Sequence, residues 1–297
     1  MAFIMKNIFN ATEEIAMSAP YTDIRFTVLP LLASSEEQSN ITPKIGWTNS
    51  SDSAHLALMS SVCFLFARNI YDVTGVPIGL IDSSWGGTRI EAWSTQESLE
   101  SCDIPDNVSE EKPQESNSYL WNSMIAPLKN LSIKGFLWYQ GEANSHWNFD
   151  KYNCTFPSLI ESWRREFSSN SFTSPSAPFG FVQLSTIKYE HDSTYPLLRL
   201  HQTADYGFVP NTRMEKVFMA VSVDTYDEEN GIHPRYKQII GERLAYKGLN
   251  VAYGLEEFPE RGPQVAGVSI SVSKKNHENK ALFIFILGKR NGANPCL

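Results

Sequence analysis

The 297-residue sequence predicts an α/β fold in which helices cover both faces of a parallel sheet. Short apolar runs alternate with longer amphipathic runs along most of the chain, which is the order of strands and helices in such folds. The composition, 42% hydrophobic and 20% charged, is that of a globular protein with a full core. No internal repeat or low-complexity linker interrupts this pattern. The length therefore permits one large α/β domain or two smaller ones.

The individual elements are predicted from the period of the apolar positions. Five strands are expected, at residues 23–29, 76–81, 133–139, 179–184 and 217–223. Five helices are expected, at residues 54–71, 120–128, 156–167, 197–204 and 237–247. Because each of these strands is followed by a helix, the strands are expected to lie parallel.

The pattern changes beyond Pro259. Residues 265–286 indicate two alternating strands joined by a polar turn, and residues 287–297 show no clear structure. We therefore divide the chain into an α/β domain, residues 1–258, and a small β-rich accessory segment with an irregular tail, residues 259–297.

The charge balance argues against one class of partner, and the lengths of the apolar runs argue against another. Lys and Arg number 25 against 33 Asp and Glu, a net charge of −8. Nucleic-acid binding is not expected, because phosphate recognition requires clustered cations. No run of 18 apolar residues occurs, so no membrane span is expected, and the amino end lacks the basic flank and cleavage site of a signal peptide.

The glycosylation motifs and cysteines bear on the compartment. Six N-x-[ST] motifs occur, at Asn10, Asn40, Asn49, Asn107, Asn130 and Asn153. Roughly half of them would arise by chance, and the remainder favours a secretory or lysosomal protein. The four cysteines have no metal-ligand spacing. One disulfide, such as Cys102 with Cys154, is compatible with the sequence, and Cys63 is expected to be a buried thiol.

Polar segments follow three of the predicted strands. They are DSSWGGTRIEAW after Ile81, QGEANSHW after Tyr139 and the stretch with His233 after Val223. Ligands of open α/β sheets bind beyond the carboxyl ends of the strands. The agreement of the three segments predicts a site at that edge.

The first two segments contain candidate oxyanion donors. Gly86 and Gly87 would let backbone N–H groups approach a developing oxyanion, or would form an ordinary tight turn. Gln140, Gly141 and Asn144 offer two amides and a bare backbone N–H, or form a polar strand-to-helix turn.

The same two segments contain a pair of acids. Glu91 and Glu142 suggest a carboxylate pair of the glycosidase kind, although nothing fixes their separation. The alternative is that each only orients its neighbours or caps a helix.

His233 is the candidate general base. It follows a strand end and precedes Pro234, and it is the only one of six histidines at such an edge with acids nearby. His201 lies in a helical pattern and is expected to be structural. No pair of histidines has metal-ligand spacing, so no metal site is expected.

Long motifs in order resemble the sialate O-acetylesterases, a branch of the SGNH-type carbohydrate esterases. The motifs are PIGLIDSSWGGTRIEAW (77–93), LWNSMIAPL (120–128), KGFLWYQGEAN (134–144), YNCTFPSLIESWR (152–164), LRLHQTADYGFVPN (198–211) and GIHPRYKQ (231–238). The resemblance runs from about Ile8 to about Gly254.

The resemblance implies a flavodoxin-like three-layer sandwich and hydrolysis of O-acetyl esters on sialic acid by a serine, without a cofactor. His233 matches the family's catalytic histidine. The segments with Gly86 and Gly87 and with Gln140 match its oxyanion-hole blocks, and Arg199 and Gln202 fall in a segment that resembles a ligand-side motif. The substrate's carboxylate is expected to pair with Arg199 rather than with Arg89.

The chain departs from the family at the nucleophile. The family's GQSNM block does not occur, and counting back from IFNAT places its final Met at Met1. The first strand, which is central in this fold, the nucleophilic serine and the signal peptide are thus expected to precede residue 1. Ser39, in EEQSNI, lacks the preceding Gly of that block, and Ser83 and Ser84 occupy a glycine-block position. None of the three is expected to be the nucleophile.

The acid partner of His233 also departs from the family. Many relatives have Asp two residues before the histidine, where this chain has Gly231. Asp224, Asp227 or Glu142 is left to hold the imidazole in its useful tautomer.

Three functions therefore remain open. The first is a sialate O-acetylesterase, secreted or lysosomal in its complete form, with this chain inactive for want of the nucleophile. The second is a protein that binds O-acetylated sialic acid or a sialoglycan without turnover. The third is an acetylesterase for another sugar. The sequence predicts no oligomeric state.

Overall fold

The computed structural model describes residues 1–186 and 194–258, and the backbone of 265–275 and 278–287. Within these ranges, six short strands and the helices around them form the α/β part, and two longer strands follow. The strands are β1 Ile24–Val28, β2 Ile45–Asn49, β3 Ile78–Asp82, β4 Phe136–Trp138, β5 Phe179–Gln183, β6 Val217–Val221, β7 Val265–Lys275 and β8 Glu278–Leu287. The α-helices are α1 Ala11–Ser18, α2 Ser53–Leu56, α3 Ser61–Thr74, α4 Ile90–Trp93, α5 Gln96–Glu100, α6 Tyr152–Asn170, α7 Thr194–His201 and α8 Lys237–Tyr253. Single 3₁₀ or π turns lie at Met5–Asn7, Pro113–Glu115, Trp121–Ile125, Ala126–Leu128, Glu142–His146 and Phe149–Lys151.

The first six strands form two separate sheets. One has the order β2-β1-β3, with β1 and β3 parallel and β2 antiparallel to β1. The other has the order β4-β5-β6 and is entirely parallel. No ladder joins β3 to β4 in the part of the chain that the structure describes. Each of these two strands therefore has one edge that is not paired with another strand.

A cavity of about 1100 Å³ lies between β3 and β4. Its walls include Ile78–Ile81 of β3 and Phe136–Trp138 of β4, together with large side chains such as Phe66, Trp163 and Phe218. We call this cavity the strand slot. The expectation that a central strand precedes residue 1 stays a prediction.

Helices cover both faces of the second sheet, as the sequence predicts. On one face, Phe136 and Phe179 make edge-to-face contacts with aromatic side chains of α6, with Phe136 5.1 Å from Phe167 between ring centroids. On the other face, Phe66 of α3 stacks on Phe218 of β6 at 6.2 Å. Helices α3 and α8 pack closely at Gly241. A Cβ added to this glycine would lie only 2.6 Å from the Cβ of Leu65. The arrangement is a three-layer α/β sandwich.

The structure differs from the predicted elements in two helices. The expected helix at 54–71 is divided into α2 and α3, because Ser60 donates its N–H to Asp82 and its hydroxyl to the Met1 carbonyl. The expected helix at 120–128 is a π turn followed by a 3₁₀ turn that contains Pro127, which has no backbone N–H to donate.

Cysteine placement is settled within the described residues. Cys102 and Cys154 form a disulfide that links the segment after α5 to α6. Cys63 is a free, half-buried thiol on α3, and desolvation raises its pKa to about 12.

At the carboxyl end, β7 and β8 pair as an antiparallel hairpin, as the alternating pattern predicts. The expected turn at 276–277 and the tail from residue 288 lie outside the described residues. The domain boundary at 258/259 stays a prediction. No helix within the described ranges is both long and apolar enough to cross a bilayer.

Candidate functional site

Loops at the carboxyl ends of β3, β4 and β6 meet at one end of the strand slot, which we call its loop end. The residues there are Met1, Ala2, Phe3, Gly86, Gly87, Gln140, Glu142, His233 and Lys237. Five of the predicted site residues are thus brought together: Gly86, Gly87, Gln140, Glu142 and His233. The other predicted residues do not line the cavity; they are Gly141, Asn144, Arg199, Gln202, Asp224 and Asp227.

His233 presents a free imidazole to the slot. Its backbone N–H donates to the Asn230 carbonyl at 3.2 Å, and its own carbonyl accepts from the Asn230 amide. The exposed ring lies 6.3 Å from the Phe3 ring, nearly parallel to it. Within the described residues the ring nitrogens make no hydrogen bond, so both are available to a nucleophile and an acid.

Asp227 holds together the loop that carries His233. Its carboxylate accepts from the Arg235 Nε at 2.8 Å, from the Arg235 N–H at 3.0 Å and from the Glu229 N–H at 3.2 Å. The side chain is buried, and the hydrogen bonds from Arg235 lower its pKa to about 2. The carboxylate is therefore ionised and directed at Arg235, and the imidazole of His233 is not among its partners.

Asp224 is held in the same way by another arginine. Arg243 donates to both of its oxygens at 2.6 Å, and these bonds lower the pKa of Asp224. The role of either aspartate as acid partner of His233 stays a prediction, and their two arginine partners were not foreseen from the sequence.

Glu142 is the predicted acid that lies in the cavity with His233. No hydrogen bond or ion pair engages its carboxylate within the described residues. Gly141 places it there: this residue has φ +144°, and a Cβ on it would lie 3.0 Å from Leu184. The turn Glu142–His146 thus begins at a position where the backbone favours glycine.

Gln140 and Asn144 connect the loops instead of facing the cavity with free donors. Gln140 donates to the Thr88 carbonyl at 3.1 Å and to the Asn144 oxygen at 2.7 Å. The Asn144 amide is fully buried and donates to Glu91 at 2.9 Å and to the Trp147 carbonyl at 3.2 Å. Because these donors are used, the side chains have none left for an oxyanion.

The backbone N–H groups of Gly86 and Gly87 remain as candidate oxyanion donors. Gly86 and Gly87 line the cavity, and neither N–H is hydrogen-bonded to another described residue. Gly87 has φ +77°, a conformation that turns the chain sharply.

Glu91 is placed differently from Glu142. It is buried, accepts from Asn144 and Asn148, and does not line the cavity. The two glutamates therefore do not face one substrate position, as a glycosidase pair would.

Gln202 and the two arginines lie outside the cavity. Gln202 is fully buried, accepts from the Leu184 N–H at 3.0 Å and donates to the carbonyls of Gln140 and Val182, so it supports the ends of β4 and β5. Arg199 donates to the Ser185 carbonyl at 3.3 Å. Arg89 donates to Glu115 and stacks 4.1 Å from the Trp147 ring.

The three serines considered from the sequence are not bonded to His233. Ser39 lies in an exposed loop and does not line the cavity. Ser83 and Ser84 do line it, but Ser83 donates to the Met124 carbonyl at 3.0 Å and Ser84 to Asp82 at 2.6 Å.

Lys237 is a site residue that the sequence reasoning did not single out. It lines the loop end of the slot with only 1% of its surface exposed. A signal was present, because Lys237 precedes Ile240, Gly241 and Leu244 by three, four and seven positions, and these are the buried face of α8.

Comparisons with known proteins identify the family. The family described as "Carbohydrate esterase, sialic acid-specific acetylesterase" matches residues 38–248. A sialate O-acetylesterase from Homo sapiens is 43% identical over 281 residues, which cover 89% of this chain and 53% of that protein. The enzyme of the same name from Mus musculus is 38% identical and covers 89% and 56%.

Two solved structures are similar. A carbohydrate acetylesterase from Xanthomonas citri has a TM-score of 0.79 and 28% identity, covering 97% of this chain and 60% of that one. A protein from Arabidopsis thaliana, with a TM-score of 0.51 and 17% identity over 77% of this chain and 81% of that one, shares the fold. The chain spans about half the length of the curated relatives it matches. It belongs to the sialic acid-specific acetylesterase family of carbohydrate esterases.

Proposed function

We propose that this chain carries the general base and the oxyanion hole of a serine esterase that removes O-acetyl groups from sialic acid. The observation that supports it most is the free imidazole of His233 in a cavity shared with Gly86, Gly87 and Glu142. The relatives named sialate O-acetylesterase support the substrate class.

The nucleophile is proposed to arrive on a strand that fills the strand slot. Strands β3 and β4 end at the same loop end and each has one unpaired edge, so one parallel strand would pair with both. The walls are apolar, as a central strand requires. The amine of Met1 donates to the Tyr139 carbonyl at 2.7 Å, at the end where such a strand would finish.

In the proposed reaction, the serine hydroxyl attacks the acetyl carbonyl while His233 takes its proton. Backbone N–H groups of Gly86 and Gly87 stabilise the oxyanion, and Glu142 orients the imidazole. The tetrahedral adduct collapses to an acetyl-serine, and His233 returns the proton to the sugar oxygen. Water, deprotonated by His233, then releases acetate and regenerates the serine.

Acetate release tests this proposal. The chain is compared with a form extended by the residues encoded in frame upstream of Met1, on O-acetylated sialic acid and on acetylated xylose. We expect turnover only in the extended form and preferentially on sialic acid. His233→Ala is expected to lower kcat by about 10³-fold or more, since the base is lost.

Two variants of the extended form test which acid orients His233: Glu142→Gln and Asp224→Asn. Only Glu142→Gln is expected to reduce kcat strongly. Turnover by the unextended chain that Ser39→Ala or Ser84→Ala abolishes would contradict the proposal. An extended form that binds O-acetylated sialic acid without turnover would be a binding protein instead, and preference for acetylated xylose would indicate another sugar.

We also propose a secreted or lysosomal location and glycosylation. The disulfide Cys102–Cys154 supports an oxidising compartment, and the six N-x-[ST] motifs support passage through the secretory route. Expression in animal cells should give a form whose mass falls on treatment with an N-glycosidase. A protein of unmodified mass would oppose this.

A further inference from the structure

Trp147 presents a large aromatic surface to solvent. It directly follows the turn Glu142–His146, and 43% of the residue is exposed. The guanidinium of Arg89 lies over the indole, with its Cζ 4.1 Å from the ring centroid. Within the described part of the chain, the indole Nε1–H donates to no acceptor. Much of the ring and its polar edge are therefore left to solvent.

A buried polar network fixes the backbone of Trp147. Its N–H donates to the Asn144 carbonyl at 3.0 Å, and its carbonyl accepts from the Asn144 amide at 3.2 Å. The same amide donates to the buried Glu91, which also accepts from Asn148 at 3.0 Å. Asn148 has φ +47°, a left-handed conformation that few residues adopt. The backbone around Trp147 is thus held firmly although its side chain is not packed, as in a preorganised binding surface.

Arg89 is buried with most of its donors unused. Only 8% of it is exposed, and only Nη2 has partners, the carbonyl of Glu115 at 2.9 Å and its carboxylate at 3.3 Å. Nε is buried without a hydrogen-bond partner, and Nη1 donates to none of the described residues. Lys112 shares the Glu115 carboxylate at 3.1 Å, so two cations face one acid. The cluster beside the indole therefore has donors and positive charge available for an anion.

Both residues adjoin the groups of the proposed reaction. Arg89 comes two residues after Gly87, so their Cα atoms are at most ~7 Å apart. Trp147 follows the 3₁₀ turn that begins at Glu142. The side-chain oxygen of Asn144 joins the two segments, because it accepts at 2.9 Å from the backbone N–H that follows Arg89. A ligand on the indole would therefore lie beside the loop end of the strand slot.

We propose that Trp147 and Arg89 form a subsite for an acidic pyranose, whose ring stacks on the indole while its carboxylate accepts from Nη1 of Arg89. The inference rests on the proposed function and deepens it, since this subsite would hold the sugar while its acetyl group enters the loop end. The C–H groups on one face of a pyranose suit an aromatic surface, and the indole N–H suits a sugar hydroxyl.

The subsite assigns the substrate carboxylate to Arg89, although the sequence favoured Arg199. Arg199 donates to the Ser185 carbonyl at 3.3 Å and does not line the cavity. Nothing comparable to the exposed indole of Trp147 is in contact with it among the described residues.

Binding to the unextended chain tests the subsite without any turnover. The probe is the α-methyl glycoside of N-acetylneuraminic acid, which carries no O-acetyl group, and titration by saturation-transfer NMR gives Kd. Trp147→Ala should raise Kd about 10-fold or more, because the stacking surface is lost. Trp147→Phe keeps a ring without the N–H and should retain part of the affinity. The methyl ester of the probe should bind wild type about 10-fold more weakly, since it lacks the charge that Arg89 recognises.

Phe172→Ala is the matched control. Phe172 is 99% exposed and does not line the strand slot, so its loss should leave Kd unchanged. Thermal unfolding of each variant checks the fold. The comparison of acid and ester uses wild type alone and does not depend on any variant.

An absence of saturation transfer to the probe, or the same Kd for wild type and Trp147→Ala, would overturn the subsite. Equal affinity for the acid and its methyl ester would overturn the role of Arg89. Failure of the proposed function appears separately, as an extended form that binds the probe through Trp147 and releases no acetate.

Discussion

The loop around His233 depends on one carboxylate. Asp227 receives two backbone N–H groups and the guanidinium of Arg235 across the loop, with a pKa of about 2. A depressed pKa adds stability that is present above the unfolded value of about 3.9 and is lost as pH falls from there towards 2. The difference of about two units corresponds to ~2.7 kcal/mol, and screening at the partly exposed Arg235 reduces this to about 1–2 kcal/mol.

Asp227→Asn should therefore lower the free energy of unfolding at pH 7 by about 1–2 kcal/mol or more, since a buried hydrogen-bond set is also disturbed. The difference in the free energy of unfolding between variant and wild type should become smaller as pH drops below about 4. Urea unfolding of both proteins at several pH values measures this difference. Asp224→Asn is the control, because this arginine-paired aspartate is 57% exposed and its pair should contribute little. A gap that stays constant from pH 7 to 2.5 would contradict the assignment.

At the scale of residues, the sequence predicted that these loops meet but not the direction of their side chains. The rule about carboxyl ends predicted that Gly86, Gln140 and His233 lie at one edge, and all three line one cavity. It gave no means to see that the amide donors of Gln140 are spent on neighbouring loops. Hydrogen-bond partners are set by tertiary approach, which a single sequence does not show.

At the scale of elements, the packing of α3 against α8 rests on one missing side chain. Gly241 lies in the interior of α8, where glycine is disfavoured by about 1 kcal/mol relative to alanine. A Cβ there would lie 2.6 Å from the Cβ of Leu65 and 3.2 Å from two atoms of the α3 backbone. The contact distance between the helices therefore outweighs helix propensity.

Gly241→Ala should destabilise the fold by about 1–3 kcal/mol net, because the helices must separate. Gly46→Ala is the control, since nothing lies within 4 Å of its added Cβ and its backbone is not left-handed. Thermal unfolding of both variants gives the comparison. A rise in Tm for Gly241→Ala would show that the higher helix propensity of alanine outweighs the cost of separating α3 from α8.

Element prediction succeeded where local pattern decided the outcome. The strand expected at 217–223 is β6 Val217–Val221, and the helix expected at 237–247 is the start of α8. Strand β2 was missed, because only one residue of Ile45–Asn49 is buried and the strand is held by pairing with β1 rather than by an apolar period. The break between α2 and α3 was missed for a similar reason, since it depends on Met1 and Asp82, far away in the sequence.

For the whole molecule, the division into two sheets determines which strand amides are protected from hydrogen exchange. Strand β1 is paired on both sides, by β2 and β3, and β5 is paired on both sides, by β4 and β6. Strands β3 and β4 face the strand slot with one edge each. Unpaired edges beside apolar walls also promote association between chains.

Hydrogen exchange should reveal this difference directly. In the unextended chain, peptides covering β3 and β4 should exchange faster than those covering β1 and β5, because about half of their amides lack a strand partner. In the extended form all four should be protected alike, since a strand in the slot pairs with both free edges. The β6 peptide serves as an internal reference, because its one free edge lies on the far side of the sheet and should not change between the forms. Equal protection of β1, β3, β4 and β5 in the unextended chain would mean that the strand slot closes in solution. The proposal that a strand fills the slot beside His233 would then fail.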